Sequence, residues 1–252
     1  MEKGSMESRA PQGFAHEPLY ARVEKLLAER PGSLRILDIP AGHGILSARL
    51  AEAGHAVTAV ELAPERFAVP GVPCVPASME ERLPFADGAF EALVSLEGIE
   101  HLRNPYAFIA ECRRVLAPGG WLLLSTPNIL KLTSRLRFLA GGFLNSFPRP
   151  LNEHRERSGM YGHISLLSYY EMRFLLHSEG LRIRRVATSQ QKLGDWVLAP
   201  LVPAIALATW LSMFRERDPR QRETNREIAR HVLSADLLFG KHLIVVAERG
   251  DR

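Results

Sequence analysis

The stretch Ile36-Leu37-Asp38-Ile39-Pro40-Ala41-Gly42-His43-Gly44 constrains this chain more than any other. An apolar run ends in an acid and passes through a glycine-containing turn. It then opens onto Ile45-Leu46-Ser47-Ala48-Arg49-Leu50, which reads as a helix. Glycine at the carboxyl end of a strand lets backbone N–H groups approach a ligand where a Cβ would clash. Seventeen residues beyond Gly44, a second apolar run, Ala56-Val57-Thr58-Ala59-Val60, ends in Glu61. A carboxylate there accepts hydrogen bonds from both hydroxyls of a ribose. The two pieces together describe a nucleoside-binding βαβ unit.

The dinucleotide fingerprint G-x-G-x-x-G uses its third glycine for close helix–strand packing. Gly42 and Gly44 fit the first two positions, but Ser47 stands at the third. Asp38, placed before the loop, suits a ligand that carries positive charge rather than a pyrophosphate. Both features point away from a nicotinamide dinucleotide.

The run Asp38–Gly44 resembles motif I of the class I S-adenosylmethionine (SAM) dependent methyltransferases, D-x-G-x-G-x-G. Later segments resemble the same family in the same order. Leu83-Pro84-Phe85-Ala86-Asp87-Gly88-Ala89-Phe90-Glu91 is similar to L-P-F-x-D-x-S-F-D, which leads into strand four. Val94–Leu102 resembles the segment after that strand. Arg114–Leu122 is similar to R-V-L-x-P-G-G, the turn into strand five, which Ser125-Thr126-Pro127-Asn128 closes. The likeness is dense over residues 34–128 and resumes more weakly at Gly162–Arg185 and Lys241–Glu248.

The resemblance implies an α/β fold. It would be a Rossmann-like, seven-stranded, mostly parallel sheet with helices on both faces and an antiparallel last strand between strands five and six. It implies SAM as cofactor. Asp38 would then orient the methionine amino end, and Pro40, Ala41, Gly42 and Gly44 would form the loop beside it. Glu61 would hold the ribose hydroxyls, Leu62, Ser78 and Met79 would border the adenine, and Leu96 and Glu97 would line the methionine side. Two positions depart from the family. Pro40 replaces the first motif glycine and removes a backbone N–H. Ser78 stands where many relatives carry an Asp toward the adenine amino group. These departures keep a non-catalytic SAM-binding scaffold as a competing reading.

Methyl transfer from a sulfonium needs the nucleophile held about 3 Å from the methyl carbon and in line with it. An oxygen nucleophile also benefits from a nearby base. His101 is the first candidate, because it follows strand four on the ligand side and imidazole titrates near neutrality. A histidine that only packs against the helix is the alternative reading. His154, Tyr161 and His163 are further candidates, in or just after an insertion that should border the acceptor. No Asn-Pro-Pro-Tyr sequence is present; Thr126-Pro127-Asn128 ends strand five instead. That favours an oxygen or carbon acceptor over a nucleic-acid amine. No metal is expected.

A chain of 252 residues suits one large α/β domain. Residues 14–252 are read as that domain, and residues 1–13 as a disordered polar leader without the apolar core of a signal peptide. The net charge of +4 permits contact with anionic surfaces. The basic residues are interleaved with acids and no recognition module is present, so nucleic acid is not expected as a partner. Cys74 and Cys112 lack metal-type spacing and read as reduced, buried thiols of a cytoplasmic protein.

Periodicity and caps place helices at about 17–29, 44–53, 104–116 and from Ser168 to Leu176. They place strands at 35–39, 56–61, near Cys74, and at 92–95, 121–125, 181–188 and 243–247. Two insertions interrupt this pattern, at about 129–161 and 189–240. The first carries Lys131, Arg135, Arg137, Arg149, Arg155 and Arg157 and is placed to cover an acceptor. The second contains the uncharged run Trp196–Phe214. Nineteen helical residues would measure about 28 Å, close to a membrane span. Topology argues against a single crossing, because the strands on either side share one sheet. The run reads as a buried helix, a lid, a homodimer contact, or a helix in a membrane interface. The expected partner is a small-molecule acceptor, either lipid-linked or amphipathic or, as the alternative, that of a soluble natural-product O-methyltransferase, and the expected location is cytoplasmic or peripheral to a membrane.

Overall fold

In α1 (Glu17–Leu27) the buried residues Leu19, Val23, Leu26 and Leu27 form one helical stripe. It packs on one face of a sheet in a computed structural model that describes residues 17–144 and 162–251. The strands are β1 (Arg35–Asp38), β2 (Ala56–Glu61), β3 (Cys74–Pro76), β4 (Phe90–Leu96), β5 (Leu116–Pro127), β6 (Leu181–Ala187) and β7 (His242–Arg249). Their order is β3-β2-β1-β4-β5-β7-β6. The pairs from β3 to β5 are parallel, and β7 runs antiparallel to both β5 and β6. This is the Rossmann-like seven-stranded sheet, with its reversed last strand, that the motifs implied.

Side chains alternate across the strands and build two cores. Ile36, Val94 and Leu123 meet α1 and α2 (Ile45–Glu52) on one face. Leu37, Leu93, Leu122 and Leu124 meet α3 (Pro105–Val115) and α5 (Tyr169–Ser178) on the other. Ser168 and Glu171 close a reciprocal capping box at the start of α5. The carboxyl ends of β1, β2 and β4 therefore open on one edge of the sheet. Because β7 is reversed, its first residue joins that edge too: His242 pairs with Pro127, the last residue of β5.

Some boundaries differ from those read in the sequence. Strand β5 starts at Leu116 rather than Trp121, because the Pro118-Gly119-Gly120 turn is absorbed as a shift in register against β4. Gly120 is required there, since a Cβ would lie 2.7 Å from the Ala117 carbonyl oxygen. Cys112 is buried as expected, but Cys74 is only half-buried, since β3 is a three-residue edge strand.

The first insertion forms α4 (Leu132–Gly141). The second forms a 3₁₀ segment at Leu193–Leu201, then α6 (Val202–Met213), α7 (Pro219–Val232) and α8 (Ala235–Phe239). Pro200 sits inside the 3₁₀ turn and Pro203 in the first turn of α6, where a missing N–H costs little. The reading of Trp196–Phe214 as a buried helix is corrected: neither the 3₁₀ segment nor α6 contains a buried residue. The segment leans on a small cluster of Leu132, Leu238 and Phe239, and only Met213 at its end packs against a main core.

Candidate functional site

A crevice of about 800 Å³ runs along the carboxyl edge of β2, β1, β4 and β5 and reaches the start of β7. Its lining contains Asp38, Pro40, Ala41, Gly42, Glu61, Leu62, Ser78, Met79, Leu96, Glu97, His101 and His163. Gly44 stands just behind, at the entrance to α2. His154 and Tyr161 lie outside the described residues.

The β1–β2 end is held by charge-assisted bonds from short partners. Asp38 is 2 % exposed, and the Ser47 hydroxyl donates to its Oδ2 at 2.6 Å. Ser47 at the third fingerprint position is thus the acid's own hydrogen-bond donor. Burial, with the charge of Glu61 nearby, pushes the Asp38 carboxyl up to about 7 despite that bond. The Glu61 carboxylate accepts from the Gly42 N–H at 2.8 Å and the Leu62 N–H at 2.9 Å, so it ties the glycine loop to β2. Oε1 also accepts from the Ala63 N–H at 3.4 Å, which leaves Oε2 with a second lone pair for a ligand.

Gly44 has a φ of 85°, and a Cβ there would lie 2.4 Å from Val69 and 2.6 Å from Phe67. Only glycine makes this turn and leaves the loop backbone bare. Pro40 presses on the turn after β4: a Cβ at Gly98 would lie 2.6 Å from its Cδ. Ser78 turns its hydroxyl onto the Glu80 N–H at 3.1 Å, and Leu62, at the mouth, is 64 % exposed.

The β4–β5–β7 end is built from titratable side chains. Glu97 directly follows β4 with a φ of 51°, a left-handed conformation that costs a non-glycine residue energy. Its backbone N–H reaches the Ser125 Oγ at 3.1 Å, and the Ser125 hydroxyl donates to its Oε1 at 2.8 Å. Glu97 Oε2 lies 3.7 Å from His242 Nε2. A 3₁₀ turn at Ile99–His101 then carries Glu100 beneath the crevice, fully buried. Glu100 Oε2 accepts from Thr126 at 3.3 Å, whereas Oε1 has no hydrogen-bond partner among the described residues. Burial and the neighbouring Glu100 push Glu97 up to about 8, and burial pushes Glu100 up to about 7.

His101 and His163 meet edge to face, with ring centroids 4.9 Å apart. Ligand atoms of Glu100, His101 and His163 lie within 4.8 Å of one another, a grouping that the sequence reading, which expected no metal, did not foresee. Burial lowers the pKa of both imidazoles, so both are neutral at pH 7. His101 Nδ1 lies 3.3 Å from the Gly162 carbonyl oxygen. A carbonyl only accepts, so Nδ1 carries the proton and Nε2 the lone pair.

Sequence reasoning did not single out Glu100, Asn128, Lys241 or His242, all of which line the crevice. The available signal was the reversal of β7, which brings the residues before Leu243 to the strand-end edge. Asn128 fixes that corner: its amide donates to the carbonyls of Leu237 and Gly240, and its Oδ1 accepts from the Leu130 N–H.

A family model described as a methyltransferase domain matches residues 37–124. The match covers about a third of the chain, and it falls on the strands and loops that build the crevice. A ubiquinone biosynthesis O-methyltransferase of Caulobacter sp. (strain K31) is 33 % identical over 126 residues, 46 % of this chain and 50 % of that protein. One of the same description from Xanthomonas axonopodis pv. citri (strain 306) is 34 % identical over 132 residues, 48 % and 55 % of the two chains. The chain thus spans about half the length of the curated relatives it matches. A SAM-dependent methyltransferase structure from Archaeoglobus fulgidus shares the fold, with TM-score 0.59 at 17 % identity over 92 % of this chain and 94 % of that one. A [4+2]-cyclase shares it too, with TM-score 0.52 at 18 % identity over 91 % and 81 %.

The residues of the crevice fit SAM as a cofactor. The bare loop at Gly42–Gly44 would admit the amino-acid moiety, the buried Asp38 acid would complement its positive charge, and Glu61 would offer an acceptor to a ribose.

Proposed function

We propose that this protein transfers the methyl group of SAM to an oxygen of a small, amphipathic acceptor bound at the β4–β5–β7 end of the crevice. The cluster of Glu100, His101 and His163 carries this reading, because it sets neutral imidazoles beside buried acids where an acceptor hydroxyl must lose its proton. When bound, SAM supplies a methyl carbon activated by the sulfonium. The remaining work falls to the chain. Asp38 and Glu61 hold the donor's amino end and ribose. His101, with its proton on Nδ1, takes the hydroxyl proton on Nε2 as the oxygen attacks. Glu100 offsets the imidazolium charge that forms beside it, and His163 packs against the ring. Two further observations support the reading. Relatives that match over half their length are named for O-methylation in ubiquinone biosynthesis. The crevice lining also includes an apolar side chain, Leu62, that is 64 % exposed.

The test is incubation with SAM and a catechol bearing an alkyl chain, followed by mass spectrometry for the methyl ether and S-adenosylhomocysteine. The expected result is stoichiometric formation of both. SAM that binds with calorimetric heat yet never turns over on any oxygen acceptor would instead establish the scaffold reading.

A further inference from the structure

The least explained part of the molecule is the arm between β6 and β7. Leu193–Met213 is long and apolar enough to cross a membrane, and none of it is buried. A core helix of that composition would be covered. Here Leu193 is 89 % exposed, Val197 77 % and Leu207 58 %, and Trp210 projects on the same arm. Helix α6 is apolar around its whole circumference rather than along one stripe. In a water-soluble protein, an all-round apolar helix has no stable place except an apolar medium.

Helix α4 stands against the 3₁₀ part of this arm. It exposes Leu136, Phe138 and Leu139, with Phe143 just beyond its end. The two elements thus present apolar side chains from both insertions side by side. Their foot is the Leu132, Leu238 and Phe239 cluster, and Trp196 stacks on Phe239 with centroids 4.2 Å apart. That foot adjoins the crevice, because Lys131 and Lys241, next in sequence to α4 and β7, line it. The surroundings are cationic. Residues 129–144 carry Lys131, Arg135 and Arg137 and no acid, and Arg215, Arg217, Arg220 and Arg222 follow α6 against Glu216, Asp218 and Glu223.

We infer that α4 and the Leu193–Met213 arm form a docking surface for an anionic lipid bilayer, which seats the acceptor end of the crevice at the membrane face. Charge and topology select this occupant. Lysine and arginine around an apolar surface match anionic headgroups, at about 1 kcal/mol per residue near the surface. Strands β6 and β7 pair in one sheet, so the arm leaves and returns on the same side and dips into the interface without crossing. A second copy of the chain would cover one side of α6 and leave its other side in water. The inference deepens the proposed function, since an amphipathic acceptor would enter from the lipid, but docking itself stands without any turnover.

The test is co-flotation of the full chain with vesicles of pure phosphatidylcholine or of phosphatidylcholine with phosphatidylglycerol. It is run on the native protein and on a Leu207→Gln, Trp210→Gln, Leu211→Gln variant. The expected result is flotation with the anionic vesicles, at least tenfold weaker binding to the neutral ones, and at least tenfold loss in the variant. Calorimetric SAM affinity should stay within twofold in the variant, which shows that the fold is intact and separates failed docking from failed cofactor binding. Trp210 emission should shift to the blue and be quenched by brominated lipid. Unchanged flotation in the variant, no flotation at all, or a native dimer that the variant converts to monomer and that excludes vesicles would each overturn the inference.

Discussion

At the cofactor end of the crevice the acids accept from a hydroxyl and from backbone N–H groups, whereas at the acceptor end two neighbouring glutamates each take a side-chain hydroxyl. Asp38 takes the Ser47 hydroxyl, and Glu61 takes three backbone N–H groups. Glu97 and Glu100 share a desolvated corner, and one oxygen of Glu100 has no donor among the described residues. The first arrangement fixes geometry for a ligand whose charge and hydroxyls do not change. The second sets two acids raised toward neutrality beside two imidazoles, a set that can move a proton; Asp38 is raised to about 7 as well, but beside the Ser47 hydroxyl. The comparison predicts that damage at one end changes binding and damage at the other changes turnover.

The largest effect is expected at the acceptor end. His101→Ala should lower kcat about 10²–10⁴-fold, the usual contribution of a positioned base, and Glu100→Gln should lower it in the same direction by less. Calorimetric SAM affinity should stay within twofold in both. A parallel loss of affinity would show that the two ends are one unit. Adding a chelator to the native enzyme should change nothing. Activity lost to the chelator and restored by magnesium would transfer the role of Glu100, His101 and His163 from proton transfer to a cation.

Glu61→Ala attacks the other end. Two charge-assisted bonds to ribose hydroxyls would be lost, so SAM should bind about 10–100-fold more weakly with kcat at saturation nearly unchanged. The loop N–H groups of Gly42 and Leu62 lose their acceptor as well, and thermal melting should report a cost of about 1–2 kcal/mol. Unaltered SAM affinity in this variant would remove Glu61 from the cofactor site and leave it as a loop tie only.

The same contrast decides what the sequence could disclose. The cofactor end is local in the chain: a strand, a loop and a helix supply Asp38, Gly42, Gly44 and Ser47 within ten residues, and β2 is the next strand. Short-range signals of that kind survive in one dimension, as did the capping box of α5 and the reversed last strand implied by the motifs. Ser47 was legible as a missing glycine but not as the donor to Asp38, because that bond depends on how α2 packs on β1. The acceptor end is assembled from β4, the return at 162–165, the end of β5 and the start of β7. Ser165 N–H bonds the Glu100 carbonyl at 2.9 Å across more than sixty residues, and His242 reaches Glu97 from the far end of the chain. No spacing rule connects those positions. The exposure of Leu193–Met213 was equally hidden, since composition is the same for a buried and a naked apolar helix.

The smallest expected effect concerns pH, and it also isolates Asp38. Its carboxyl titrates near 3.8 in the unfolded chain and is raised to about 7 in the fold. Between those values the native state holds a proton that the unfolded state has released. Stability of the ligand-free protein therefore falls as pH rises from about 4 to about 7, and this group adds no further slope above. Glu97 and Glu100 are raised by burial too and slope in the same direction, so melting alone does not separate the three. SAM affinity does. Only ionised Asp38 attracts the cationic amino end, so binding should strengthen between pH 5.5 and 7.5, by at most tenfold per unit. Calorimetry in buffers of different ionisation heat should show proton release on binding below pH 7. Asp38→Asn keeps an acceptor for Ser47 but cannot ionise, so its affinity should be low and flat across the range. A slope that persists in this variant would move the titrating group to Glu97, and the division between a fixed cofactor end and a proton-moving acceptor end would fail there.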